Sequence, residues 1–173
     1  LGQFHGRWTE WNDRFRDSAR ALWHPAHRKG ALQRFADHLL GSATHFDRPL
    51  QSINFIAAHD GFTLADMVAF DHKHNEANGE QNRDGHNHNL SHNHGAEGPT
   101  TDPLITAERE RTVRALLLTL LLAQGVPMLS MGDERGHSPS GNTNAYRQAG
   151  TLSWLDWTAS GNQASELEAF VRQ

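Results

Sequence analysis

The stretch Ser52-Ile53-Asn54-Phe55-Ile56-Ala57-Ala58-His59-Asp60-Gly61 reads as a strand that closes in two polar residues. Ile53, Phe55 and Ile56 are β-branched or aromatic within a short, mostly apolar run, which predicts a buried strand over Ser52–His59. Gly61 then opens a turn, and a short helix is expected over Leu64–Phe70. A second segment repeats this shape. Val126–Met131 reads as a buried strand, with Pro127 near its start where a missing amide is tolerated, and it ends in Gly132, Asp133 and Glu134. Between the two lies the strongest helical pattern, Asp102–Gln124, where Asp102-Pro103 suits a cap followed by proline at the first helical position. Its second half is apolar all round, as expected of a helix buried against a sheet. Strand, helix and strand in alternation predict an α/β fold with parallel strands and helical crossovers. In such folds chemistry sits at the carboxyl ends of the strands, where Asp60 and the Asp133-Glu134 pair are expected.

Outside this frame the signals are local. Trp11–Leu22 predicts a helix, with Asn12 and Asp13 able to accept hydrogen bonds from its free amides and Phe15, Ala19, Leu22 and Trp23 forming one apolar stripe. Ala31–Leu40 predicts a second helix ended by Gly41. Residues 71–98 change character sharply: only Ala77, Leu90 and Ala96 are apolar, against six Asn, six His and four Gly. No period is present, so this is a long loop, and long loops inside compact domains tend to be functional. A polar loop runs to Gly150, and Leu167, Phe170 and Val171 mark a final helical stretch.

Composition narrows the function classes. Hydrophobic residues make up 36% of 173 residues and charged residues 21%, lean for a globular core and well short of a disordered chain. The absence of cysteine excludes disulfides and thiolate metal sites. A net charge of −4 without a Lys/Arg cluster points to no nucleic acid and no membrane among the partners. The longest apolar run, Ala115–Ala123, is too short to span a bilayer, and Leu1-Gly2-Gln3-Phe4-His5 has neither the basic start nor the apolar core of a signal peptide. The tryptophans, Trp8, Trp11, Trp23, Trp154 and Trp157, form no aromatic strip, and most are expected in a core or an interface.

The strand closing in His59-Asp60 is similar to the late-barrel motif of the α-amylase superfamily, glycoside hydrolase family 13. His59-Asp60-Gly61-Phe62-Thr63-Leu64, Lys73–Glu80, Asn82-Arg83-Asp84-Gly85 and Glu97-Gly98-Pro99-Thr100 resemble the isoamylase and bacterial glycogen-debranching branch of that family. Gly125-Val126-Pro127-Met128 with Gly132-Asp133-Glu134 resembles the eighth strand of its barrel, and Gly141-Asn142, Asn144-Ala145-Tyr146 and Ser153–Trp157 continue the likeness in order. Trp11-Asn12-Asp13 and Phe15-Arg16-Asp17 resemble the stretch after the family's acid-bearing strand.

The resemblance implies a partial (β/α)8 TIM barrel, roughly its last third, since the whole barrel takes about 250 residues. Residues 1–173 would be the C-terminal part of the catalytic domain of a debranching hydrolase that cuts α-1,6 linkages with retention. Asp60 matches the family's third carboxylate, which steadies the oxocarbenium-like transition state, and His59 matches its sugar-binding histidine. The family's nucleophile and general acid match no residue of the chain. Asn142, Asn144 and Tyr146 are expected at the mouth of the site, where amides and a phenol either suit hydroxyl-rich ligands or close the loop structurally. Asp133 and Glu134 either line the cleft or brace its loops. The implied partner is an α-glucan such as glycogen, limit dextrin or amylopectin, with no cofactor and no metal, in the cytoplasm.

The chain departs from the family at His92 and His94, where tryptophan and a small residue or cysteine are usual, and at Arg135, where an aromatic is expected. His72/His74, His86/His88 and His92/His94 are His-x-His pairs that an extended segment could offer to zinc, copper or nickel. They read as surface residues of an Asn/His-rich loop. The rival readings are a carbohydrate- or metal-binding remnant without catalysis and another family 13 enzyme, such as a trehalose-producing hydrolase, against which the 73–80 and 97–100 motifs speak. A partial barrel leaves an open parallel edge, so the isolated chain is expected to self-associate. It is also expected to release no reducing sugar from glycogen above an Asp60→Asn control; release above that control would overturn the assignment of nucleophile and acid to other segments.

Overall fold

A computed structural model describes residues 1–4, 6–158 and 162–173. The elements follow in the order β1 (Glu10–Asn12), α1 (Asp13–Trp23), α2 (Ala31–Leu39), β2 (Ser52–Phe55), α3 (Leu64–Met67), α4 (Pro103–Leu122), β3 (Val126–Met128) and α5 (Asn162–Arg172). Among the described residues the three strands form one sheet in the order β1-β2-β3, parallel throughout, with Trp11 opposite Ile53 and Ile53 opposite Val126. The α/β class and the parallel pairing of 52–55 with 126–128 match the sequence expectation. The chain forms two compact units, 1–56 with 115–129 and 57–114 with 130–173.

In the first unit α1 packs against α2 through Phe15, Ala19, Ala31 and Phe35, all buried, with the Phe15 and Phe35 rings edge to face at 5.4 Å. Arg20 lies buried in α1 and donates through Nε and an Nη to the Ile56 carbonyl at 2.9 and 2.6 Å. The sheet carries a polar ladder. Asn12 Nδ2 donates to Ser42 Oγ at 2.8 Å and to Ser52 Oγ at 2.9 Å. Ser52 Oγ donates to Asn54 Oδ1 at 2.7 Å, and Asn54 Nδ2 donates to the Gln124 carbonyl at 3.0 Å. Asn12, Ser52 and Asn54 are buried, so each satisfies a partner that water cannot reach.

Several boundaries differ from expectation. Residues 10–12 are extended and pair with β2, so the helix expected from Trp11 starts at Asp13, and Asn12 caps it by accepting from Phe15 N at 2.9 Å. β2 ends at Phe55, four residues short of His59. β3 ends at Met128 and is partly exposed rather than buried, because it is the edge strand with a single neighbour. The second half of α4 buries Leu116, Leu117 and Leu120 but exposes Leu118, Leu121 and Leu122, so its apolar circumference is covered on one side only. Trp8, Trp11, Trp154 and Trp157 are exposed rather than in a core; Trp23 donates from Nε1 to Thr119 Oγ1 at 2.9 Å.

The second unit is centred on Phe62, Leu64, Met67, Val68 and Phe70, joined by Val113 of α4 and Leu167 of α5. α3 is a single turn, capped by Thr63 Oγ1 accepting from Asp66 N, where a helix through Phe70 was expected. The 71–98 segment contains one 3-10 turn, Glu76–Asn78, and is otherwise a loop, as expected.

Asn12 joins a helix cap to two buried hydroxyls. Asn12→Ala is expected to destabilise the chain by about 2–4 kcal/mol, the sum of a lost cap and stranded buried donors and acceptors. Asp13→Ala, one residue on in the first turn, should cost at most about 1 kcal/mol. Urea unfolding of the two variants measures the difference.

Candidate active site

His59 and Asp60 stand on a solvent-facing bend between Phe55 and α3. His59 Nε2 lies 3.3 Å from Asp60 Oδ2, and His86 Nε2 lies 3.9 Å from the same oxygen. The C-terminal side of the bend is pinned. Gly61 N donates to the Thr143 carbonyl at 3.1 Å, Phe62 N to Asn89 Oδ1 at 3.3 Å and Leu64 N to Asp133 Oδ1 at 2.9 Å. Gly61 has φ +84°, and a Cβ there would come within 2.7 Å of Asn89 Oδ1, so only glycine allows this turn to close onto Asn89.

The loop that reaches this bend is held by asparagine side chains. Asn75, fully buried, receives Thr143 N on its Oδ1 at 2.8 Å and donates through Nδ2 to the Asp84 carbonyl at 2.9 Å and Thr143 Oγ1 at 3.0 Å. Asn78 Nδ2 donates to Asp84 Oδ2 at 2.7 Å, while its Oδ1 accepts from Asn142 Nδ2 at 2.8 Å and Gln148 Nε2 at 2.6 Å. Asn82 Nδ2 donates to the Lys73 carbonyl at 3.0 Å and Lys73 Nζ to the Asp84 carbonyl at 2.7 Å. The loop's ends are stapled by Glu97, which accepts from Asp71 N, His72 N, Asn93 Nδ2 and His74 Nε2. Arg109 of α4 donates to the carbonyls of Gly98, Asn93, Ala69 and Ala96.

The residues expected at the mouth of the site divide. Asn142 is buried, and its amide is engaged with Asn78 and with Asn144 N at 2.9 Å, so it presents nothing to solvent. Asn144, half-buried, donates to Asp84 Oδ2 at 2.7 Å. Tyr146 is 82% exposed. Asp133 and Glu134 act as braces: Asp133 is buried under Leu64 N, and Glu134 Oε2 accepts from Gly132 N at 2.9 Å. Arg135 pairs with Glu168 at 2.6 Å and lies 5.7 Å from the Trp157 ring centre.

Among the described residues no group of three or more His, Asp or Glu is arranged to hold a metal ion. His92 and His94 pack against each other with ring centres 4.9 Å apart, and burial, then the neighbouring His92 and Arg109, holds His94 below the ordinary imidazole range. No helix among the described residues is long and apolar enough to cross a membrane.

A cavity of about 450 Å³ lies beneath α3, lined by Asp66, Phe70, Arg109, Val113, Arg135 and Leu167 among others. It does not include His59 or Asp60, so this cavity and the histidine–aspartate bend are separate features. Asp66 is wholly buried at its wall, taking Ser138 Oγ on one oxygen and Gly141 N at 2.8 Å on the other. Burial pushes its carboxyl up to about 6, against the opposing pull of those two hydrogen bonds. Glu97 goes the other way: burial works to raise it, and the donors from Asp71, Asn93, His74 and His72 together overcome that and hold it down at about 2.

Similarity to known proteins agrees with the motifs. The chain is 53% identical over 161 residues to a glycogen debranching enzyme of Erwinia tasmaniensis, covering 91% of this chain and 24% of that one. It is 49% identical over 179 residues to a glycogen operon protein GlgX homologue of Mycobacterium bovis, covering 100% of this chain and 24% of that one. The chain therefore spans about a quarter of the length of these curated relatives. No protein-family model matches it. Among solved structures, a pullulanase from Bacillus acidopullulyticus superposes with a TM-score of 0.66 at 18% identity, over 95% of this chain and 18% of that one. A pullulanase from Anoxybacillus sp. LM18-11 complexed with maltotetraose gives 0.60 at 24% identity, over 95% of this chain and 20% of that one. These two likenesses establish a shared fold.

Asp66 gives a pH signature of the second unit. Below about pH 4 it is protonated whether the chain is folded or not. As pH rises the unfolded chain ionises first, so stability falls between about pH 4 and 6 and levels off above. A rise from 3.8 to about 6 corresponds to roughly 3 kcal/mol at most. Relative to Asp66→Asn, the wild-type chain is expected to lose on the order of 2–3 kcal/mol from pH 4 to 6.5 in urea unfolding; a constant difference would show that Asp66 is ionised throughout.

Proposed function

Because the chain belongs to the isoamylase-type, glycogen-debranching group of glycoside hydrolase family 13, we propose that it forms part of the glucan cleft of a hydrolase that cuts α-1,6 branch linkages with retention. The observation that carries this reading is the accessible His59–Asp60 pair on a bend whose C-terminal side is pinned to Thr143 and Asn89. Retaining hydrolysis uses a carboxylate nucleophile and a carboxylic acid about 5 Å apart. Neither is matched within residues 1–173, and on this reading both come from other segments of the barrel to which the three parallel strands contribute.

Asp60 accepts hydrogen bonds from the hydroxyls of the glucosyl unit at the scissile bond. As that ring flattens and positive charge builds at the anomeric carbon, the carboxylate stabilises it more strongly than it stabilises the ground state. His59, in contact with Asp60 Oδ2, orients the carboxylate and offers its second nitrogen to the same sugar. Tyr146 supplies an exposed aromatic face for a further glucosyl unit. Asn142 and Asn144 act by holding the loop: Asn142 through Asn78, Asn144 through Asp84. The substrate class is a branched α-glucan such as glycogen or its limit dextrins, in keeping with the names of the relatives.

In the full-length protein, Asp60→Asn is expected to lower kcat for release of reducing sugar from limit dextrin by about 100-fold or more, as loss of one transition-state partner does elsewhere, with a small change in KM. His59→Ala should cost about tenfold. An Asp60→Asn protein that keeps more than a tenth of wild-type kcat would remove Asp60 from the reacting centre.

A further inference from the structure

His86 belongs to none of the roles assigned above, yet the loop delivers it to Asp60. Two anchors fix where its backbone runs. Gly85, with φ +72°, sits so close to the asparagine network that a Cβ would fall 2.4 Å from Thr143 Oγ1 and 2.7 Å from Asn75 Nδ2. On the other side the His86 carbonyl accepts from Asn89 Nδ2 at 3.3 Å, and Asn89 Oδ1 in turn accepts from Phe62 N, two residues beyond Asp60. Asn89 is buried, so the backbone of His86 and the bend carrying Asp60 are held by one side chain. The imidazole itself stays 63% exposed and turns Nε2 toward the oxygen that His59 already contacts.

The two histidines differ in distance. At 3.3 Å His59 is in contact with Asp60 Oδ2, whereas at 3.9 Å His86 is beyond direct hydrogen-bonding range. A hydroxyl oxygen about 2.8 Å from each atom can donate to Asp60 and accept from His86 at once. We propose that His86 is a substrate-contacting residue that shares a glucosyl hydroxyl with Asp60, so that the 82–89 loop reads the sugar held by the His59–Asp60 bend. This rests on the glucan-cleft reading above. His86 then contributes to ground-state binding as well as to the transition state, which separates it from Asp60.

The test compares His86→Ala, His86→Gln and Asp60→Asn in the full-length protein, with maltotetraose affinity by calorimetry and limit-dextrin kinetics as readouts. With one hydrogen bond lost, His86→Ala is expected to weaken maltotetraose binding and raise KM by about three- to tenfold, with kcat within about threefold of wild type. Glutamine, which keeps an N–H donor at similar reach, should restore binding to within about twofold. An exposed side chain has little to lose in stability, so the melting temperature should not move. Unchanged affinity and KM in His86→Ala, or a glutamine variant no better than alanine, overturns the proposal. Failure of the wider reading looks different: Asp60→Asn keeps its activity while the His86 variants still bind maltotetraose less well.

Discussion

Backbone amides and carbonyls that leave water need partners, and residues 71–98, with a single turn of 3-10 helix, have no ladder of their own to supply them. Side-chain amides fill that role. Asn75 and Asn78 reach the 84 and 142–144 segments, Asn82 closes back on Lys73, and Asn89 holds the bend at Phe62. The position of Asp60 depends on this lattice, because Gly61 and Phe62 are tied to Thr143 and Asn89, both members of it. An asparagine suits the task better than a charged residue. It offers a donor and an acceptor on one short side chain, and it can be buried without an ion to neutralise.

Carboxylates in and beside the loop have their charge state fixed by their surroundings. Glu97 accepts two backbone amides and two side-chain donors, which favours the ionised form despite burial and makes it a fixed negative staple. Asp66 has two donors in a drier place, and burial prevails. The count of donors against the loss of water decides the outcome in each case. Asp84 follows Glu97, held low chiefly by Asn78 and Asn144, so the asparagines that shape the loop also keep its central carboxylate charged.

The frame of the fold was legible from apolar patterns. The 52–55 and 126–128 strands and the helix between them announced a parallel α/β arrangement, and His59-Asp60 stood out because a polar pair interrupts an apolar run. β1 was not legible, since three residues ending in a helix cap look like the start of that helix, and only pairing with β2 makes them a strand. The extent of β2 was overread because Ile56 and Ala57 are apolar and buried, which is the same signal whether or not the backbone pairs. The surroundings of Asn142 and His86 were not legible for a related reason. Residue type says that an amide suits a sugar, but Asn142 is turned inward by Asn78, and His86 is brought to Asp60 by Gly85 and Asn89, contacts that no local spacing encodes.

The low apolar content of the chain acquires a structural meaning from these contacts. Asn12, Asn54, Asn75 and Asn142 are among its largest fully buried side chains, places that a typical core gives to leucine or phenylalanine. Apolar packing is non-directional and tolerates sliding, whereas an amide held by three partners has one orientation. In the first unit the Asn12–Ser52–Asn54–Gln124 ladder fixes the register of three short strands that apolar contacts alone would hold loosely. In the second the same chemistry sets the mutual positions of His59, Asp60 and His86 on an otherwise irregular backbone. Side chains that act together on a ligand need to be held to within about half an ångström. Directional polar packing supplies that precision in a segment where neither helix nor sheet is present to do so.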